Sequence, residues 1–185
     1  MANDADEIVV AANGTVRVAP VGTTQPTDPT AAPDAAWIDL GFINEDGATF
    51  TDTKEIEDIT SWQSFYPTRK IVTAKEATVA FILQQWNENS IPLAFGGGAV
   101  TNPSVGVWRY VPPDPETLDE RALMIDWTDG DKDYRLIVPK GLVTEAVETQ
   151  LVRTGSAELP ITFAAVPAAG EDPFVLLTND LAFSS

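Results

Sequence analysis

Short stretches of alternating apolar and polar residues, separated by loops, limit the fold of this chain more than any other feature. Residues 15–20 (TVRVAP) and 37–43 (WIDLGFI) alternate in this way, and a loop rich in Pro, Thr and Ala lies between them at 21–34. A period of two places successive side chains on opposite faces of a β-strand. The sequence therefore predicts a mostly β protein, with about ten strands in a β-sandwich or barrel-like domain.

One short helix is predicted at residues 87–95, where Asn87 would cap it and the glycines at 96–98 would end it. Residues 142–153 fit a helix or a strand, and their Thr and Val content favours a strand. The clearest hairpin flanks the turn at 129–132 (DGDK). Besides these, the predicted strands are 69–73, 76–85, 105–111, 121–128, 133–139 and 158–166, with a final strand or arm at 174–183.

The absence of cysteine and histidine excludes most catalytic and metal-binding chemistry. No Cys/His zinc site, Ser-His-Asp triad or Cys-His pair can form without these residues. The glycines at 96–98 lack the spacing and lysine of a phosphate-binding loop. A calcium loop beginning at Asp129 would need a glutamate where the chain has Lys140. The sequence therefore predicts no catalytic residues, no metal site and no cofactor.

The charge balance argues against tight nucleic-acid binding. The chain carries 28 acidic and 11 basic residues, a net charge of −17, and residues 1–60 hold 12 of the acids but only two bases. Proteins that hold a duplex neutralise its phosphates with Lys and Arg. The acidity either serves solubility alone or forms a surface that nucleic acid passes without sticking.

Neither a membrane span nor a secretory signal is predicted. No apolar run approaches the roughly 20 residues that a membrane helix needs. The first residues, MANDADE, are acidic where a secretory signal would be basic. We therefore expect a soluble protein that is made in a cytoplasm.

Residues 44–64 are the most unusual segment, because they are too polar for a core strand and too regular for disorder. They form either a projecting hairpin or loop that packs against a partner, or an ordinary solvated loop. Among the tryptophans, Trp37, Trp108 and Trp127 lie in apolar strands and are predicted to be in the core, whereas Trp62 is a candidate interface anchor. The predicted subunit-interface residues are Ile8, Val9, Glu45, Asp46, Phe50, Ile56, Ile59 and Trp62.

Three segments carry a resemblance to a known family. They are residues 16–28 (VRVAPVGTTQPTD), residues 35–98, beginning AAWIDLGFINEDG and ending SIPLAFGGG, and residues 142–170 (LVTEAVETQLVRTGSAELPITFAAVPAAG). In this order they resemble the major tail proteins, or tail tube proteins, of long-tailed non-contractile bacteriophages, especially those that infect actinobacteria. The first two segments are specific both in their order and in their amino-acid sequence. Residues 99–141 share only the general character of the family.

The resemblance implies a structural virion protein without catalytic residues. Such a protein is a β-sandwich beside a helix, with an N-terminal arm (here 1–15), a tube domain (16–172) and a C-terminal strand or arm (173–185). Six copies form a ring whose strands join into a barrel, and stacked rings make a hollow tube that conducts the genome. Arms and a long loop, here 44–64, would bind the neighbouring ring. Tape measure, tail tip and terminator proteins are the further partners implied.

Two other functions remain open from the residues alone. One is a phage decoration or accessory β-domain that attaches to a capsid or a sugar. The other is a carboxylate-dependent hydrolase, which would need two close carboxylates with separated pKa values in a cleft.

Overall fold

Ten β-strands make up most of the part of the chain that the structure, a computed structural model, describes: residues 5–168 and 170–183. The mostly β fold predicted from the sequence is confirmed. One short α-helix, α1, spans Ser90–Ala94, and 3-10 turns lie at Ala5–Glu7 and Leu181–Phe183. The strands are β1 Asn13–Pro20, β2 Ile38–Asp39, β3 Ile43–Ser61, β4 Ser64–Leu83, β5 Ala99–Ser104, β6 Val107–Val111, β7 Arg121–Asp129, β8 Lys132–Val143, β9 Leu159–Ala165 and β10 Val175–Thr178.

Eight of the strands form one antiparallel sheet in the order β2-β1-β7-β8-β9-β4-β3, with β10 alongside β8. Strand β8 belongs to both halves of the sheet, because its first half pairs with β10 and its last three residues pair with β9. Strands β5 and β6 form a separate hairpin. The sheet is therefore open and folds over on itself at β8.

Alternating residues from the two halves of the sheet meet in one apolar core. The half containing β1, β7 and β8 contributes Val16, Val18, Leu123, Ile125, Leu136 and Val138. The half containing β4 and β9 contributes Val79, Phe81, Leu83, Leu159, Ile161 and Phe163. Because inward side chains recur at every second residue, this core is a two-layer sandwich.

The proline-rich loop 21–37 covers the outer face of the first half. Trp37 is buried there with Met124 and Ile137, and its indole Nε1 donates a hydrogen bond to the Thr24 carbonyl oxygen at 3.1 Å. Arg135, buried in the same face, donates to the carbonyl oxygens of residues 28 and 31, each at 2.8 Å. The loop is thus held by side chains of the sheet that it covers.

Two predicted strands are interrupted or shortened. The predicted strand 37–43 breaks at Gly41, whose φ of 87° cannot continue a strand. The predicted strand at 142–153 was wrong beyond Val143, where β8 ends. The backbone hydrogen bond from Thr144 N to Thr162 O at 3.1 Å extends the ladder by one residue, and residues 145–153 form no strand in the described part of the chain.

Two other predictions changed in length or number. The segments 69–73 and 76–85 are parts of the single strand β4, which absorbs one extra residue as a bulge between its pairs with Glu55 and Ile56. Strand β5 was not predicted. The helix is shorter than expected, but the Asn87 side chain does accept the backbone N–H groups of residues 89 and 90, both at 2.9 Å.

The predicted terminal arms are partly built into the sheet. Strand β1 begins at Asn13, so the last three residues of the predicted arm 1–15 pair with β7. Strand β10 places part of the predicted C-terminal segment beside β8. Residues 1–4 and 184–185 lie outside the described residues. No helix in the described part of the chain is long and apolar enough to cross a membrane.

Candidate subunit interfaces

Strands β3 and β4 form a long hairpin that extends beyond the sandwich. Their pairing runs from Ile43 and Leu83 to Ser61 and Ser64, but β4 pairs with β9 only over residues 78–83. From there outward, residues 51–78 are a two-stranded ribbon, and residues 51–60 are all exposed. At about 3.3 Å per residue the ribbon projects about 35 Å. The segment predicted as a hairpin or loop is therefore a hairpin rather than a loop.

The ribbon exposes backbone groups that a stable isolated protein would cover. A two-stranded hairpin without a third strand or a core is marginally stable in water. The outer edge of β3 also has no strand beside it among the described residues, over its full 19 residues. Long exposed edges template pairing with another chain. Both features indicate a segment that is completed by contact with a partner.

The register gives the ribbon two chemically different faces. We call one the Lys face; it carries Asp52, Lys54, Ile56 and Asp58 on β3, and Lys70, Val72 and Lys75 on β4. We call the other the Glu face; it carries Thr51, Thr53, Glu55, Glu57 and Ile59 on β3, and Arg69, Ile71 and Glu76 on β4. The Lys face continues the core-facing side of the sheet, because Val79 and Ala77, the next residues of β4 on that side, are buried.

Aromatic side chains crowd the tip of the ribbon. Trp62 and Phe65 are fully exposed, and Tyr66 is 81% exposed. Sequence reasoning singled out Trp62 but missed the other two, which come just after the end of the polar segment 44–64. Exposed aromatic clusters are typical of contact surfaces, since buried aromatics dominate the energy of many protein interfaces.

The other predicted interface residues lie at three different places. Ile56 and Ile59 are exposed along β3, and Phe50, at the base of the ribbon, packs edge-on against Phe174 with ring centroids 4.7 Å apart. Glu45 and Asp46 lie at a register shift near the start of β3. Ile8 and Val9 are exposed and lie beside the β7–β8 turn. The backbone N–H of Val10 holds this segment there, donating to Asp129 Oδ2 at 2.9 Å.

The prediction that Trp108 is in the core was wrong, because β6 lies in the separate hairpin. Trp108 is 67% exposed and, with Trp86, Ile91, Val100 and Tyr110, lines an aromatic groove of about 490 Å³ beside α1. The other two core predictions hold in part: Trp37 is buried, and Trp127 is half-buried and stacks on Tyr134 at a centroid distance of 5.3 Å.

The acids around the β7–β8 turn serve the fold. Asp126 receives hydrogen bonds from Arg17 and Arg135. Asp180 accepts from the Tyr134 hydroxyl at 2.6 Å, which lowers the pKa of that carboxyl and raises the pKa of Tyr134 to about 12. Among the described residues, no three acidic side chains are grouped so that they could hold a metal ion.

Comparison with known proteins gives one family. The family model described as "Phage tail tube protein" matches residues 1–185, the whole chain. The comparison with curated proteins found no match.

Two solved structures of gene transfer agent particles show weak likeness to the chain. A chain of the structure described as the virion of a native gene transfer agent particle is 9% identical, with a TM-score of 0.43, covering 97% of this chain and 100% of that one. A chain of the tail of an empty particle, computed with C6 symmetry, is 10% identical, with a TM-score of 0.38, covering 90% and 96%.

The family match accounts for the long open strand edge and the projecting ribbon, since both suit a subunit that packs against neighbouring copies. The chain belongs to the phage tail tube protein family and is a structural component of the virion tail, not an enzyme.

Proposed function

We propose that this chain polymerises with copies of itself into rings, six copies each, that stack into the tail tube through which the genome passes. The observation that carries the proposal is the unpaired 19-residue edge of β3, which continues into a ribbon with no core of its own. Pairing that edge with a neighbouring copy would remove it and join the sheets around the bore. The number six follows from the resemblance to long-tailed phage tail tube proteins.

The acidity of the chain suits a conduit for DNA. A bore that held phosphates would stall the duplex, whereas a net charge of −17 disfavours binding. We propose that DNA passes without specific contacts, and that carboxylates outnumber basic groups on the surface lining the bore.

Contacts between rings are assigned to the ribbon and to the N-terminal segment. The proposed contact residues are Ile8, Val9, Glu45, Asp46, Phe50, Ile56, Ile59 and Trp62. All eight residues are exposed, which supports the assignment, and Phe50 also packs in part against Phe174. Tape measure, tail tip and terminator proteins would meet the tube at its bore and ends.

Electron microscopy of the purified protein tests the proposal. We expect hollow tubes of stacked rings, formed spontaneously or on added tail-tip complexes. A chain that stayed monomeric at high concentration with such seeds present would contradict it. A trimer that attached to preformed capsids would instead favour a decoration protein.

A further inference from the structure

Two lysines face each other across the ribbon, and among the described residues neither is ion-paired, even to Asp52, the next residue of β3 on the same face. Lys54 and Lys75 are directly opposite in the β3–β4 register, and both are exposed. Like charges at directly opposite positions destabilise a strand pair. Among the described residues neither ammonium group has an ion-pair partner, whereas Lys70, on the same face, pairs with Asp58. In a chain with 28 acids, an unneutralised lysine pair indicates that its counter-charge comes from outside the subunit.

Two apolar side chains lie next to the lysine pair on the same face. Ile56 and Val72 are opposite partners, and they are 53% and 52% exposed. They sit on the extension of the core-facing side of the sheet, beyond the point where the core ends. The Lys face therefore combines uncovered apolar area with unpaired positive charge.

The charge distribution of the chain identifies what fits this face. Residues 51–78 hold four of the 11 bases and five of the 28 acids, a net charge of −1, so the rest of the chain carries −16. The ribbon is nearly neutral and its Lys face is locally basic, whereas the remainder is strongly acidic. Such complementary potentials guide and orient protein association.

We propose that the Lys face of the ribbon docks on the acidic surface of a second copy of this chain, covering Ile56 and Val72 and giving Lys54 and Lys75 carboxylate partners. The inference rests on the proposed assembly and adds which side of the ribbon is covered. The Glu face stays open around Glu55, Glu57 and Glu76, whereas Ile59, nearer the tip, keeps the ring contact proposed for it.

A nucleic acid fits the Lys face less well. Two lysines with Asp52 beside them on the same face would neutralise few phosphates, and phosphates would leave the apolar side chains uncovered. An acidic protein surface with apolar side chains matches both parts of the face.

Two double variants test the docking: one removes the charges of both lysines, and the other is a matched control. Lys54→Gln/Lys75→Gln lowers the net charge by two units on the Lys face; Thr51→Glu/Arg69→Gln lowers it by the same amount on the Glu face. We expect the first variant to raise the protein concentration needed for half-maximal tube formation by about tenfold. The control should change it by no more than about twofold. Light scattering and electron microscopy would follow assembly.

A second pair of variants probes the apolar part of the face. Val72→Thr on the Lys face should also hinder assembly, whereas Ile71→Thr, the adjacent residue on the Glu face, should not. None of these residues belongs to the sandwich core, so all four variants should fold, and circular dichroism would verify this.

The outcomes separate this inference from the proposed function. Wild-type protein that forms no tubes would overturn both. Wild-type tubes with no difference between either Lys-face variant and its control would overturn the inference and leave the proposed function standing. Wild-type subunits that bind duplex DNA, with binding lost in Lys54→Gln/Lys75→Gln, would overturn it in favour of nucleic acid.

Discussion

At the scale of single residues, a few buried polar groups hold segments that have no regular structure. Arg135 carries out this role for the proline-rich loop, because its guanidinium reaches two loop carbonyl oxygens and the Asp126 carboxylate at once. Tyr134 does the same for the C-terminal segment through Asp180. Their effects belong to folding stability and are separable from assembly.

Replacing Arg135 by methionine should loosen the loop. Arg135→Met keeps an unbranched apolar stem but removes the guanidinium and every donor, which leaves Asp126 partly buried with one arginine fewer. We expect a loss of about 2–3 kcal/mol in the free energy of unfolding, measured with denaturant. Arg153→Met, at an exposed arginine, is the control and should have little effect. Equal stability of the two variants would contradict the assignment.

The pair of Tyr134 and Asp180 should make stability depend on pH at both extremes. The Tyr134 hydroxyl lowers the pKa of Asp180, so this stabilisation is complete above the ordinary carboxyl pKa and is lost as the pH falls through the lowered value. The pKa of Tyr134 is raised to about 12, so its stabilisation is complete below the ordinary value of 10.0 and is lost as the pH rises from there through about 12.

Thermal unfolding of Tyr134→Phe beside the wild type measures this effect. The wild type should have the higher Tm between about pH 5 and 10, and the difference should shrink in acid and in alkali. Lys132, 3.2 Å from Asp180, is common to both proteins. A Tm difference that stayed constant from pH 3 to 12 would rule out the coupling.

At the scale of elements, the ribbon and the N-terminal segment are the parts that the sandwich does not use. The core is complete without them, since its buried residues come from the strands of the sandwich, from α1 and from Leu40 between β2 and β3. Changes in these elements should therefore affect assembly more than folding.

Removing the tip tryptophan should weaken assembly without unfolding the subunit. Trp62 is fully exposed, so Trp62→Ala removes no intramolecular packing, but it deletes the largest aromatic group at the tip. We expect the concentration required for tube formation to rise by about tenfold, with an unchanged Tm of the unassembled subunit. Leu151→Ala, at another well-exposed apolar residue, serves as the control. If it raised the concentration required for tube formation equally, Trp62 would not be an interface anchor.

Deleting residues 1–12 should likewise hinder stacking. The deletion stops before Asn13, because residues 13–15 pair with β7 and belong to the sheet. It removes the exposed Ile8 and Val9 and the hydrogen bond to Asp129. We expect isolated rings or short tubes in electron micrographs. Tubes of normal length would show that the segment has no part in stacking.

At the scale of the whole molecule, the uneven distribution of charge is the property most relevant to a tube. The acids are spread over the chain, yet the ribbon is close to neutral, so the subunit is divided into a strongly acidic body and a nearly neutral projection. This division fits a subunit that must attract its neighbours and repel the phosphates of the genome.

The bore of an assembled tube should therefore be acidic. In a cryo-electron microscopy structure of the tube, we expect Asp and Glu to outnumber Lys and Arg on the surface that faces the bore, because DNA must slide past without being held. A bore with a net positive charge would contradict this prediction.

The sequence by itself determined the fold class, the hairpin at the β7–β8 turn and the absence of Cys and His chemistry. Each of these depends on local pattern or composition: alternation with a period of two, a glycine at 130 that adopts a φ of 60°, and residue types that are simply missing. The family resemblance also came from the order of local segments.

Only the tertiary structure decided which strands pair, and therefore which side chains are covered. Trp108 lies in an apolar strand but is exposed because β6 joins a separate hairpin, and residues 144–153 do not continue β8, whose pairing with β9 ends at Val143. The β3–β4 register sets Lys54 opposite Lys75. Pairing and register arise between residues far apart in the chain, and a shift of one residue would move every side chain of the ribbon to the other face.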